Sequence, residues 1–477
     1  MSCAAGKITG VYRPRQPLES DFHRLVREQF NDFQAVYDRC YARKFGFWRP
    51  VIARTVNEFL RCGDLREGFA RVRCPDCRHE FFVAFSCKQR CICPSCHQKR
   101  ALLLGIHIAE DVCEPVAHRQ FVWTIPKRLR VFFRFHRHLL HRLPNLAWKT
   151  IREVYRAVLE RDDLVPGGII TIQTFGQLIH FHPHLHGLVT DGAFTTDGQF
   201  IRLPRLDDEL FLQLWEQRVF QLLLDEGKIE PKLVDQMRGW RHSGFSVNRN
   251  VRLEGADQAA IQRLAQYMAR CPFSLARLIR ITDTGKVLYR GEKTHCHRFP
   301  EAASEDLFGG VSRNFQVFEP LDFLAELTQH IPNKSEHLIR YYGWYSNKTR
   351  GTRARAVASA GEAVAAAPPA ALPSPTAAGA RRRWAALIKR VYQTDPLRCP
   401  RCGGKMRIIS FIEAHQEQVI ERILRHCGLW SEPPPRAPPR PALVLVPSNR
   451  VAEPGLDLDP EFLEHQRWEQ IELAFEA

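Results

Sequence analysis

Histidines recur at every second position of the segment His180-Phe181-His182-Pro183-His184-Leu185-His186-Gly187. Side chains on a strand alternate faces, so this spacing predicts a strand that carries all four imidazoles on one face. Such a face makes a poor core and an expensive cluster if protonated, and a bound metal or phosphate relieves both problems. Two chemistries use it. In one, His184 and His186 hold a divalent metal that polarises a scissile phosphate while a separate tyrosine attacks the phosphorus. In the other, His182-x-His184-x-His186 is a histidine triad of a nucleotide hydrolase or transferase, with the central imidazole as nucleophile and no metal. The strand alone leaves both open.

The second group of reactive residues is cysteine. Of the chain's 15 cysteines, seven fall between Cys62 and Cys96. No apolar signal-peptide core precedes them and the longest apolar runs are too short to span a bilayer. A reducing cytoplasm is therefore expected, and thiols there read as metal ligands before disulfides. The knuckles Cys74-x2-Cys77 and Cys93-x2-Cys96 are predicted to share one tetrahedral structural zinc. Cys62, His79, Cys87 and Cys91 are candidates for completing a second site. A further half-knuckle, Cys399-x2-Cys402-Gly-Gly, has no matching pair after it, only His415, His426 and Cys427. It reads as a relic or a plain turn ahead of a zinc site, which leaves the zinc count between one and three.

The elements that must position these residues follow from periodicity. Apolar residues Phe22, Leu25, Val26, Phe30 and Phe33 predict a helix near the start of the chain. Residues 98–160 read as helix-rich and basic. Strands are expected from Gly167 through the histidine segment and again over 285–318, with a helix from Asp207 to Glu226 between. Asp257 predicts the N-cap of a helix running to Arg270, whose apolar stripe is Ile261, Leu264, Ala265 and Met268. Tyr267 lies at the edge of that stripe. Taken alone it reads as a core-rim residue; with the histidine strand it becomes a candidate nucleophile.

The chain has 477 residues and a formal charge of +17, from 69 Lys and Arg against 52 Asp and Glu. Ordinary apolar and charged fractions exclude wholesale disorder, and the charge favours a polyanionic partner. From Arg119 to Arg156, ten basic residues against one acid are interleaved with Trp123, Phe132, Phe133, Phe135 and Trp148. This stretch reads equally as a solvated helical face with core aromatics or as a nucleic-acid surface. Arg128, Arg130 and Arg134 are its candidate DNA contacts, with Arg270 beside the tyrosine. Domain expectations are an arm over 1–20, a helical and zinc-binding domain over 21–110, a catalytic domain over 111–350, an Ala/Pro-rich linker over 351–380, a small basic CxxC module over 381–430, and a Pro-rich and acidic tail over 431–477.

Several motifs in order resemble one family. They include Phe85-Ser86-Cys87-Lys88-x-Arg90 before Cys93-Pro94-Ser95-Cys96, and Trp123-Thr124-Ile125-Pro126-x-Arg128-Leu129-Arg130. The histidine strand follows, ending Gly187-Leu188-Val189-x-Asp191-Gly192, then Tyr267-Met268-Ala269-Arg270. Phe318-Glu319-Pro320-Leu321-Asp322-Phe323, Arg340-Tyr341-Tyr342-Gly343 and Cys399-Pro400-Arg401-Cys402-Gly403-Gly404 complete the set. Over roughly residues 20–430 the chain resembles the transposases of rolling-circle insertion sequences (the IS91 type, including the common-region elements), a branch of the HUH endonucleases.

The resemblance implies an α+β multidomain fold, with an HUH-type antiparallel sheet and flanking helices preceded by a Cys-rich zinc-binding domain. It implies that His184 and His186 hold Mg2+ or Mn2+, with His182 a candidate third ligand or phosphate contact, and that Tyr267 cuts one DNA strand through a 5′-phosphotyrosine. Single-stranded or hairpin element ends are the implied substrate, with host replication proteins as further partners and no membrane. Where some members carry a second tyrosine one turn on, this chain has Cys271 followed by Pro272, so it resembles the single-tyrosine branch. Thiolate is too soft for Mg2+, and the third ligand stays unassigned. The alternatives are a histidine-triad nucleotide hydrolase or transferase and a zinc-dependent DNA-binding regulator without catalysis.

Overall fold

The computed structural model describes residues 16–176, 178–282, 285–291, 297–298, 312–362 and 397–432. Most of the expected arm and tail, the later part of the linker and the start of the C-terminal module lie outside them.

The chain opens with helices α1 (Asp21–Cys40), α2 (Ala42–Phe45) and α3 (Pro50–Leu60). Ser20 caps α1 by accepting the His23 amide, and Phe22, Leu25, Val26, Phe30 and Phe33 are all buried, as their spacing predicts. The hairpin β1 (Gly68–Arg73) and β2 (Glu80–Ala84) follows, then α4 (Pro94–His107), which continues into a single π-helical turn, Ile108–Val112. Next come β3 (His118–Thr124), α5 (Lys127–Phe135), α6 (Leu143–Leu159), β4 (Gly167–Phe175) and β5 (Phe181–Thr190). After the small hairpin β6–β7 (Gly192–Phe194, Phe200–Arg202) stand α7 (Glu209–Asp225), α8 (Pro231–Arg238), β8 (Ser246–Asn248), β9 (Arg252–Leu253) and α9 (Gln258–Met268). Strands β10 (Leu278–Ile281), β11 (Val287–Arg290), β12 (His297–Arg298), β13 (Ser312–Arg313) and β14 (Phe315–Phe318) lead to α10 (Pro320–Thr328), β15 (Ile339–Gly343) and α11 (Asn347–Glu362). The described chain closes with β16 (Arg407–Glu413) and α12 (Glu417–His426).

The central antiparallel sheet has the order β15-β4-β5-β3-β8, with β9 also pairing β3. Both of its faces are covered. On one, Phe121, Trp123, Ile170, Ile172, Leu185 and Val189 pack on Leu129, Phe133, Ile151, Phe211 and Trp215 from α5, α6 and α7. On the other, Ile169 and Leu188 pack on the π turn and on Ile261, Leu264, Ala265 and Met268 of α9. Full burial of side chains this size contributes roughly 1.5–3 kcal/mol each, so the two cores fix the sheet between helical layers. The fold is α+β with a Cys-rich N-terminal region, as expected. β3 is the central strand that the sequence hides. Its alternating core residues Phe121 and Trp123 are flanked by His118, Gln120 and Thr124, polar residues that are buried rather than solvated.

Residues 397–432 are not the separate basic module expected. β16 adds to the β1–β2 hairpin to give a second antiparallel sheet of order β16-β1-β2, with Phe69 opposite Ile412 and Val72 opposite Ile408. The β1 edge is left unpaired by local sequence, and a strand from the far end of the chain satisfies it.

Candidate active site and metal centres

His184 and His186 share a face of β5, and the sheet register sets their neighbours. Ser246, Thr124, His184 and Gln173 form one cross-strand row; Asn248, Val122, His186 and Thr171 form the next. The Nδ1–H of His184 donates to the carbonyl of His182 at 2.9 Å, which leaves the lone pair on Nε2. That Nε2 lies 3.0 Å from Nε2 of His186, while His186 Nδ1 has no hydrogen-bond partner among the described residues. Two nitrogens on adjacent corners around one ion, each about 2.1 Å from it, stand about 3 Å apart. The pair therefore fits a shared divalent metal.

Burial, then the positive Arg270 and Arg130 nearby, lowers the pKa of His184 to about 4. Burial, with neighbouring imidazoles and these arginines, also holds His182 and His186 well below the ordinary value. All three are thus neutral at physiological pH, the form that ligates metal. His182 stands beside His184, ring centroids 5.2 Å apart, with its Nε2 unpartnered among the described residues. His180 departs from the expected row of four. β5 starts at Phe181, and the β4–β5 register shifts between Gln173 and Phe175. The His180 ring instead bonds Gln316 at 2.6 Å and faces the buried Glu326 at 3.3 Å.

Helix α9 brings Tyr267 to this cluster. Asp257 caps it through the Ala260 amide, and the four residues of the predicted stripe are its buried set, although the helix ends at Met268 rather than Arg270. The Tyr267 ring stands edge-on to His186, centroids 5.3 Å apart at 85°. The Arg270 guanidinium lies 4.5 Å from the centre of the tyrosine ring and 5.3 Å from that of Phe175. Gln173 is a site residue the sequence reading missed. It is buried, and its Nε2 donates to the carbonyls of Tyr267 and Met268, both at 3.0 Å, while its Oε1 has no partner among the described residues. Only the strand register, which sets it opposite His184, reveals it. Cys271, one turn past Tyr267, packs into the N-terminal helical core.

The arginines expected on DNA are not all on the surface. Arg130 is buried, donating to the Ile125 carbonyl at 3.0 Å, and its charge opposes protonation of His182 and His184. Arg134 lies over Phe45 and Phe181 at 5.5 and 5.2 Å, and Arg128 over Trp240 at 6.0 Å. Of the interleaved aromatics, Trp123, Phe133 and Trp148 are core, whereas Phe135 is exposed.

The cysteines form two tetrads, each with ligand atoms within 4.8 Å of one another: Cys62, Cys87, Cys93 and Cys96, and Cys74, Cys77, Cys399 and Cys402. The expectation that the knuckles at 74–77 and 93–96 share one ion is corrected, because each knuckle takes its second pair of thiols from elsewhere. In the first tetrad Cys62 lies 3.7 Å from both Cys93 and Cys96, and amides of Cys87 and Gln89 point at sulfurs at 3.5 Å. Such amide-to-sulfur bonds accompany zinc knuckles. His79 and Cys91 join neither tetrad, nor do His415, His426 and Cys427. The Cys399–Cys402 pair, read as a relic, is half of the second.

The first tetrad connects to the tyrosine helix. Cys93 and Cys96 open α4, and at Gly105 that helix approaches α9 so closely that a Cβ would meet Gln266 Cγ at 2.6 Å and the Gln262 carbonyl at 2.9 Å.

Residues 167–353 match the family described as "Putative transposase", and residues 31–125 match that described as "Transposase zinc-binding domain". The transposase for insertion sequence element IS801 of Pseudomonas savastanoi pv. phaseolicola is 25% identical over 390 residues, covering 77% of this chain and 86% of that protein. "Putative transposase y4qJ" of Sinorhizobium fredii (strain NBRC 101917 / NGR234) is 24% identical over 304 residues, covering 58% of this chain and 70% of that protein. No solved structure matches.

Proposed function

Because the chain belongs to the IS91-type transposases, we propose that it moves DNA by cutting and rejoining one strand through Tyr267. The observation that carries this reading is the meeting of three side chains: the convergent Nε2 atoms of His184 and His186, 3.0 Å apart, and the Tyr267 ring edge-on to His186 at 5.3 Å. A divalent Mg2+ or Mn2+ held by His184 and His186 would polarise the scissile phosphate.

The phenol oxygen of Tyr267 forms a bond to phosphorus as the bond from phosphorus to the 3′ oxygen breaks. The phenol proton passes to solvent, and the departing 3′ oxygen takes one up as a hydroxyl. The 5′ phosphate stays on the tyrosine, so the phosphodiester energy is kept, and a 3′ hydroxyl can reverse the step on a new strand without ATP. Arg270, over the same ring, would meet the nonbridging oxygens, and burial, with Arg130 and Arg270 as lesser contributors, keeps the imidazoles neutral by opposing their protonation. In-line attack requires a backbone free to bend, so single-stranded or hairpin ends are the substrate this reading favours.

The test is a labelled single-stranded oligonucleotide spanning an element end, incubated with Mn2+ and resolved on a denaturing protein gel. A covalent adduct is expected with the wild type and lost in Tyr267→Phe and in His184→Ala/His186→Ala. Tight binding without any adduct favours a zinc-dependent regulator instead.

A further inference from the structure

We propose that Cys74, Cys77, Cys399 and Cys402 hold a zinc ion that clasps the two ends of the folded chain into one three-stranded ribbon, with the catalytic region inserted between its halves. The zinc-binding family match ends at residue 125, so it contains only the first half of this site. Cys74 Sγ lies 3.5 Å from Cys402 Sγ, and Cys77 Sγ lies 3.5 Å from Cys399 Sγ, pairs separated by 328 and 322 residues. Four sulfurs about 2.3 Å from a tetrahedral zinc stand about 3.8 Å apart, so the tetrad is nearly at ligand spacing.

The two halves are built alike. Each reads Cys-Pro-x-Cys, and each folds the same turn. The Arg78 amide donates to the Cys74 carbonyl at 3.1 Å and the Gly403 amide to the Cys399 carbonyl at 2.9 Å. The Cys74 amide donates to His79 and the Cys399 amide to Gly404, both at 2.8 Å. Arg78 and Gly403 both take the left-handed conformation, with φ of 60° and 73°. Each knuckle abuts a strand of the same sheet, β1 for one and β16 for the other.

Charge supplies an independent argument. Register places Arg73 opposite Arg407 on one side and Glu80 on the other, and an isolated bridge places Arg398 opposite Lys405, with Arg78 and Arg401 also exposed around the tip. Like charges directly opposite disfavour strand pairing. A zinc with four thiolates carries a net double negative charge, and such a centre turns these cations from a penalty into a counter-charge. Beside the buried Cys74 and Cys399, the apolar contacts at this end of the sheet come from Ala70, Val72, Met406 and Ile408, with Phe81, Val83, Leu397 and Phe411 partly buried around them. Cys402 is exposed, whereas the first tetrad has no exposed cysteine (Cys87 is half-buried like Cys77, the others buried), so the clasp ion is the one that exchanges first.

The test uses the full-length protein. Zinc measured by mass spectrometry against protein concentration is expected at two per chain. Cys399→Ser/Cys402→Ser and Cys74→Ser/Cys77→Ser should each fall to one, and the combined quadruple variant should also keep one. Two ions in either double variant, or fewer in the quadruple than in the doubles, overturns the shared site. Should the variants misfold, the wild type is titrated with a chelator and sampled by thiol alkylation. All four clasp cysteines are expected to be protected together and to become reactive together as the first zinc leaves. Alkylation of Cys399 and Cys402 in the fully loaded protein, with Cys74 and Cys77 still protected, contradicts the proposal.

Discussion

His97 and Ala269 are joined by a 2.8 Å hydrogen bond that ties the cysteine-rich region to the end of the helix bearing Tyr267. The same imidazole accepts the Cys91 amide on Nδ1 at 2.8 Å, so its proton sits on Nε2 and donates to the Ala269 carbonyl. Burial lowers its pKa to about 4, and the ring is neutral, as this donor-and-acceptor role requires. With the close approach at Gly105, this gives the cysteine-rich region a structural hold on the helix that carries Tyr267.

His97→Ala should therefore slow formation of the tyrosine adduct about tenfold, the equivalent of one buried hydrogen bond at about 1.4 kcal/mol. Zinc content and affinity for the single strand should be unchanged. Single-turnover adduct formation beside metal analysis checks this. An unaltered rate with intact zinc would show that the link is packing only.

Gln173→Leu makes a second prediction. It removes the side-chain donors to the Tyr267 and Met268 carbonyls at the open end of α9. The Tyr267 carbonyl keeps the Arg270 amide at 3.1 Å, but the buried Met268 carbonyl loses its donor, which costs about 1–3 kcal/mol, so the thermal midpoint should fall and adduct formation should slow together. Gln173→Ala should behave similarly with a further loss from the cavity. A variant as stable and as active as the wild type would remove Gln173 from the site.

Much of this site was legible beforehand because it rests on local periodicity. The two-residue spacing set His184 and His186 on one face, the stripe of α9 and its Asp257 cap followed from helical spacing, and α1 was readable from its aromatics. What depended on distant pairing was not legible. Gln173 acquires its role from register, β3 hides among basic residues because its polar face is buried, and the partners of Cys74 and Cys77 lie at the other end of the chain. His180 had the right spacing, but it precedes the strand that would have aimed it.

Stability should fall in mild acid. His118 bonds the Tyr345 hydroxyl at 2.7 Å, and His330 bonds Thr174 at 2.9 Å and the Ile179 carbonyl at 2.6 Å. Burial lowers the pKa of each to about 4. An unfolded histidine titrates near about 6.5, so the unfolded chain binds these protons first. The stabilisation is complete above that pH and drains away as pH falls towards about 4. Urea midpoints at pH 7.5 and 5.0 should decrease in that order, with a smaller decrease in His330→Gln. A midpoint that rises on acidification would contradict the assignment.

The central claim is that Tyr267 becomes linked to the 5′ phosphate end that the cut creates in one DNA strand. The most direct measurement is to trap the adduct on single-stranded substrates labelled on one side or the other of the cleaved bond, then map it by peptide mass spectrometry. The account predicts that only label lying 3′ of the cut stays with the protein, on the peptide containing Tyr267, with a free 3′ hydroxyl on the released fragment. Label retained from the other side, or a modification on any residue but Tyr267, would contradict it.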